Sequence, residues 1–168
     1  GFSVVLFEKE KYPYHKVCGE YISLESWDFL KSLGLTLEQM ELPKIDTLQI
    51  SAPNGTLFQT KLPLGGFGIS RFTIDHLLAD IAKKAGVNVL EETKVEDVHF
   101  DNDFTIRFTS KNISATSVTT SVCCGSYGKR SNLDVKWKRS FINKKDPRIN
   151  NYVGVKYHVK GEWPQHLI

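Results

Sequence analysis

Residues 3–7, Ser-Val-Val-Leu-Phe, make a continuous run of β-forming, largely apolar residues that stops abruptly at Glu8. A run without alternation fits a strand buried on both faces, as in a parallel sheet covered by helices. The remainder of the chain is then expected to supply those helices and the neighbouring strands. A basic, proline-containing loop follows from Lys9 to Gly19. Ser23 stands as a cap before Leu24, Trp27, Leu30 and Leu33, which recur at helical spacing, and Gly34 supplies the stop.

Between Ile45 and Leu62 the pattern changes to alternation. Leu48, Ile50 and Ala52 precede the turn Pro53-Asn54-Gly55, and Leu57, Phe58 and Leu62 follow it, which predicts a hairpin. A glycine-rich connection, Gly65 to Gly68, leads to Thr73, a cap for a helix with Ile74, Leu77, Leu78, Ile81 and Ala85 on one face and Gly86 at its end. Val87 to Leu90, Thr93 to Phe100, Thr105 to Thr109 and Ile113 to Cys123 read as short strands, separated by polar turns such as Asp101-Asn102-Asp103. The expected fold class is therefore α/β, a layered sheet and helices with a β-meander attached. Tyr152 to Lys160 alternates again and reads as a sheet strand whose partners are not evident. The first strand begins at residue 3 and Trp163 to Ile168 closes on apolar residues, so both ends are expected to be cuts in a longer protein.

A chain of 168 residues suits one domain, or one domain and part of another. Hydrophobic residues are 40% and charged residues 24%, an ordinary globular balance, so disorder is not expected. No apolar run approaches the roughly 20 residues that span a bilayer. Gly1 to Phe7 lacks a basic leader and runs into Glu8, Lys9, Glu10 and Lys11, unlike a signal peptide, and the expected location is cytoplasmic. Cys18, Cys123 and Cys124 form no C-x-x-C, so neither a disulfide framework nor a metal site is expected. Lys129 to Arg148 holds eight Lys or Arg against Asp134 and Asp146. With Trp137 and Phe141 among them, these charges admit a nucleic-acid surface, but a solvated, charged connection is the commoner outcome, and no nucleic-acid partner is expected.

A carboxylate at the carboxyl end of a buried strand can accept hydrogen bonds from two vicinal ribose hydroxyls, the arrangement of dinucleotide-binding folds. Glu8 occupies that place, although any strand running into a charged loop looks similar. Gly1-Phe2-Ser3-Val4-Val5-Leu6-Phe7-Glu8-Lys9, followed by Tyr12-Pro13-Tyr14-His15-Lys16-Val17-Cys18-Gly19-Glu20, resembles the FAD-dependent group of geranylgeranyl reductases, flavin-dependent halogenases and aromatic hydroxylases. Gly68-Ile69-Ser70-Arg71-Phe72-Thr73-Ile74-Asp75, the helix to Ala85, Gly86-Val87-Asn88-Val89 and Lys94-Val95 continue that resemblance in the same order, covering most of residues 1–131.

The resemblance implies a Rossmann-like FAD-binding domain in two parts, residues 1–44 and 68–131. It also implies a substrate-domain hairpin at 45–67, then a connection and substrate-domain strand at 132–168. It implies cofactor contacts from Glu8 and Lys9 near the ribose, from Lys16, Cys18 and Gly19 beside the flavin, from Arg71 facing the pocket, from Val95 meeting adenine through its backbone, and from Gly125. Arg71 reads equally as a surface arginine before a helix, and Cys18 as a small buried hydrophobe. Gly125-Ser126-Tyr127-Gly128 stands where related hydroxylases carry Gly-Ala-Asp-Gly, with Tyr127 in place of the aspartate. A phosphate-binding P-loop is excluded there, because Cys123 and Arg130 stand where Gly and Ser or Thr are required. The group's opening G-x-G-x-x-G and later Gly-Asp stretch do not occur in the sequence. The implied activity is a flavin-dependent oxidoreductase acting on a small apolar organic substrate, reductase-like or monooxygenase-like, with NAD(P)H as a candidate electron donor. The alternative is a non-catalytic α/β module that does not retain FAD and acts through protein binding.

Overall fold

The computed structural model describes residues 1–128, 131–143, 153–164 and 166–168. The chain divides into two compact units, one formed by Gly1–Lys11 with Val87–Gly154 and the other by Tyr12–Gly86 with Val155–Ile168. Mixed parallel and antiparallel sheets with helices give the α/β class expected.

In the first unit, β1 (Val5–Phe7) and β5 (Asn88–Leu90) pair in parallel, Leu6 opposite Val89. The parallel partner agrees with the unalternating run, but the burial does not. Val5 and Leu6 are each 37% exposed, because this sheet has two strands and the described residues do not cover both of its faces. Strands β6 (Thr93–Asp101), β7 (Asp103–Ser110) and β8 (Ser117–Thr120) form the expected antiparallel meander, with the last strand shorter than the Ile113 to Cys123 span expected. Asn102 makes the β6–β7 turn at φ 62, a left-handed conformation that asparagine tolerates. Ile106 and Phe108 point into the core, where the Phe7 ring lies 5.0 Å from that of Phe108. The charged connection expected after residue 132 is, where described, two short helices, α3 (Asn132–Lys136) and α4 (Ser140–Asn143). Leu133 is buried, and the Lys136 ammonium donates to the Glu96 carbonyl at 2.7 Å, so α3 is tied to β6.

In the second unit, β2 (Tyr21–Ser23), β4 (Leu57–Gly68) and β3 (Lys44–Ser51) form one antiparallel sheet in the order β2-β4-β3. The Asn-Gly hairpin is present, with Gly55 at φ 83 and the Ala52 amide donating to the Thr56 carbonyl. Its second strand breaks register after Lys61, with Gly65 left-handed at φ 70, and resumes pairing over Gly66, Phe67 and Gly68, which are ladder and not a connection. Glycine is required there sterically: a Cβ on Gly66 would lie 2.3 Å from the Tyr21 ring and 2.5 Å from the Ile22 carbonyl oxygen. Ser23 closes β2 and makes no side-chain cap bond, and the helix expected from it reduces to a 3-10 turn and α1 (Trp27–Ser32). Helix α2 (Arg71–Lys84) starts earlier than expected, with Ser70 as the cap accepting from the Thr73 amide at 3.1 Å. Gly86 ends it at φ 88. Ile74, Leu77, Leu78 and Ile81 pack with Leu30, Leu35, Leu37 and Phe67 as the core of this unit, whereas Ala85 is exposed beyond the last turn.

The alternating Val153–Lys160 segment is not a strand. Val153, Val155, Tyr157 and Val159 are 67–86% exposed, and Tyr152 lies outside the described residues. The edge of β3 is taken by the last residues instead, with the Ile168 amide donating to the Thr47 carbonyl at 2.9 Å. Of the basic stretch, Lys129, Arg130, Lys144, Lys145 and Arg148 also lie outside the described residues.

Candidate cofactor site

In the second unit, Tyr12 to Glu20 runs as an irregular ribbon, bent at Tyr12, Pro13 and Val17, in which burial alternates. Tyr12, Tyr14, Lys16, Cys18 and Glu20 are half-buried, while Pro13, His15, Val17 and Gly19 are exposed. Lys16 and Glu20 meet the start of α2, where the exposed His15 ring also stacks on Phe72 at 4.7 Å, and the cap and apolar face of α2 fix it on the core. Arg71 forms a two-pronged ion pair with Asp75 one turn on, Nε to Oδ1 at 2.8 Å and Nη2 to Oδ2 at 2.9 Å. Lys16 reaches the same carboxylate from the ribbon at 2.8 Å, and its ammonium sits 4.6 Å from the centre of the Tyr14 ring. Burial alone would raise Asp75, but the Arg71 and Lys16 hydrogen bonds outweigh it and hold its carboxyl below the usual range. Lys16 shows the mirror case, with burial opposed and overcome by Asp75, so that its ammonium titrates above the ordinary range. The Asp75 bonds raise Arg71 as well, with a smaller contribution from the nearby Cys18 thiol.

Glu20 is the second anionic node. Its Oε1 accepts the Arg71 backbone amide at 2.9 Å and is paired with the Lys156 ammonium. Burial favours the neutral acid, but Lys156 and the Arg71 amide hold Glu20 below the usual carboxylate range. An open hollow of about 650 Å³ lies here, lined by Val17, Cys18, Gly19 and Glu20 on one side and Val155, Lys156, Tyr157 and His158 on the other.

In the first unit, Glu8 follows β1. Its amide donates to the Leu90 carbonyl, its carbonyl accepts from Thr93, and its carboxylate accepts the Glu10 amide at 3.0 Å. Lys9 is exposed, with its ammonium 3.8 Å from Glu10. Val95 sits half-buried on β6, paired with Phe108, next to a bulge before Asp97. Gly125 is crowded by the chain itself, since a Cβ there would lie 2.8 Å from the Tyr127 ring. Tyr127, in the aspartate position of the hydroxylase motif, donates its hydroxyl to the buried Asp134 at 2.8 Å, which pushes the phenol above its usual range.

Lys16, Cys18, Gly19 and Arg71 thus come together in one unit. Glu8, Lys9, Val95 and Gly125 belong to the other. Sequence reasoning missed Asp75 as the shared counter-ion, although the i, i+4 spacing from Arg71 signals it. It also missed Lys156, for which no local pattern exists.

No family model matches the sequence. A curated protein, Conditioned medium factor receptor 1 of Dictyostelium discoideum, is 28% identical over 115 residues, 60% of this chain and 22% of that protein. Halogenase PltM in complex with phloroglucinol and FAD superposes with a TM-score of 0.63 at 16% identity, covering 82% of this chain and 32% of that one. A flavoprotein/dehydrogenase from Cytophaga hutchinsonii gives 0.56 at 20% identity, covering 70% and 31%. The flavin-dependent halogenase CmlS gives 0.56 at 22% identity, covering 71% and 23%. The fold is therefore that of FAD-binding flavoproteins, and the chain spans a third or less of the length of the proteins it matches. Among the described residues no helix is long and apolar enough to cross a membrane.

Proposed function

We propose that the chain is the FAD-binding portion of a flavin-dependent oxidoreductase. The observation that carries this is the shared fold with flavin-dependent enzymes, one of them solved with FAD bound. Gly19 supports a fit with a flat cofactor ring. It has no positive φ, and a Cβ on it would meet no atom of the chain within 4 Å, so the chain's own packing does not demand glycine, whereas close approach of a ligand to the backbone would. Lys16 and Arg71 supply cationic donors held in place by Asp75. Glu8 would accept the ribose hydroxyls after releasing the Glu10 amide, with Lys9 beside it, Val95 would offer its backbone to the adenine, and Gly125 would keep the turn close to the cofactor.

The isoalloxazine supplies hydride or activated-oxygen chemistry when bound, and the protein supplies position, electrostatics and exclusion of water. The substrate is then a small apolar organic molecule, reduced in the manner of geranylgeranyl reductases or oxygenated or halogenated, and NAD(P)H is the candidate donor. Residues 1–44 and 68–131 would carry the cofactor, and 45–67 with 132–168 the substrate side. Replacing Glu8 with alanine should lower flavin occupancy of the purified protein about tenfold, as expected for losing a charge-assisted hydrogen-bond acceptor. Undiminished occupancy, read from released flavin fluorescence, removes Glu8 from the ribose. A second reading, a non-catalytic α/β module that binds protein, is favoured by one fact: the curated relative is named a receptor. Protein that stays colourless and ignores added FAD would favour it.

A further inference from the structure

Glu20 holds the left-handed region at φ 60, which a residue with a side chain adopts only where its surroundings hold it. Three contacts come from its immediate neighbourhood in the fold. Its amide donates to the Cys18 sulfur at 3.4 Å, its carbonyl accepts the Ile69 amide at 3.0 Å, and its carboxylate accepts the Arg71 amide at 2.9 Å. The fourth is Lys156, 136 positions away in sequence. The pair is largely withdrawn from solvent, with side-chain exposures of 16% for Lys156 and 19% for Glu20. Apolar packing does not account for this placement, because the flanking Val155 and Tyr157 are 70% and 78% exposed. Among the described contacts, His158 adds an edge-on approach to the His15 ring at 5.2 Å. Lys160, by contrast, is exposed. A partly buried ion pair adds little net stability, but removing one partner strands the other charge.

We propose that Lys156 is a positioning residue of the cofactor site. Through the Glu20 carboxylate it fixes the Val17–Glu20 backbone against the first turn of α2, and its own segment, Val155–His158, forms the facing wall of the hollow. This rests on the flavin reading for the identity of the ligand but not for the grip itself. Neither the ribbon motif nor α2 contains Lys156, so a ligand along Gly19 would depend on a residue remote from both.

The Arg71 amide reports the grip directly, because it donates to the carboxylate that Lys156 holds. Its hydrogen exchange, measured without added flavin, should be about tenfold faster in Lys156→Met, which keeps chain length and removes the charge. Lys156→Arg should restore it, and the Gly86 amide at the far end of α2 should not respond in either variant. An unchanged Arg71 amide in Lys156→Met overturns the proposal, as does a loosening that Lys156→Arg fails to restore. Titration of the same proteins with FAD, followed by flavin emission, separates the two ideas. About tenfold weaker FAD binding by Lys156→Met supports the site role. An amide that responds in a protein that takes no FAD leaves the grip standing and removes the flavin reading.

Discussion

Asp75 carries two cations, Arg71 and Lys16, with 13% of its own side chain exposed. Removing its charge leaves both ammonium and guanidinium short of a partner, so Asp75→Asn should cost about 1–3 kcal/mol near neutral pH, the range for a half-buried charged hydrogen bond. The pH dependence follows from the direction of its shift. A carboxyl whose folded value lies below its unfolded one contributes stability above the unfolded value, about 4, and loses it as pH falls through the folded value. Asp75 and Glu20 both belong to this class. Urea midpoints of the natural protein and Asp75→Asn should therefore differ most above about pH 5 and converge on acidification. A gap that is constant with pH contradicts the ion-pair assignment. At this scale the sequence was partly informative. Lys16, Cys18, Gly19 and Arg71 follow from motif order and lie in one unit, but Lys156 does not, because a contact spanning 136 positions leaves no periodic trace.

At the scale of elements, strands and helices were read where local chemistry decides them. The Asn-Gly hairpin, the β6–β7 pair with its Asn102 turn and the Gly86 stop each depend on residues within a few positions and form where expected, whereas the strand expected over Ile113 to Cys123 is confined to Ser117–Thr120. Misreadings arose where tertiary packing decides. Ser23 stands at the N-cap of the 3-10 turn before α1 as expected but pairs with Gly66 in β2 and makes no side-chain cap bond, and Ser70, not Thr73, caps α2. Gly65–Gly68 has the composition of a loop, but only Gly65 is unpaired; Gly66, Phe67 and Gly68 are ladder, and β2 packs so close that no side chain fits at Gly66. Gly66→Ala should thus destabilise the protein by about 2 kcal/mol or more through overpacking. Ser70→Ala should cost about 1 kcal/mol through the lost cap. Denaturant melts check both, and a Gly66→Ala protein as stable as the natural one contradicts the close β2–β4 contact.

For the whole molecule, the α/β class was legible because parallel and alternating patterns leave different marks on sequence. The expected burial of Val5 and Leu6 and the Val153–Lys160 strand were not realised, and both depend on neighbouring surfaces that a local pattern cannot specify. The likeness to solved flavoproteins fixes the fold at identities of 16–22%, and the cofactor reading then rests on the ribbon, Arg71 and Glu8. Its most direct test is the flavin content of the protein expressed from its complete reading frame and purified without added cofactor. A yellow protein that releases FAD on denaturation, with the yield reduced in Arg71→Ala, is the predicted result. A colourless protein whose addition leaves the emission of free FAD unchanged contradicts it.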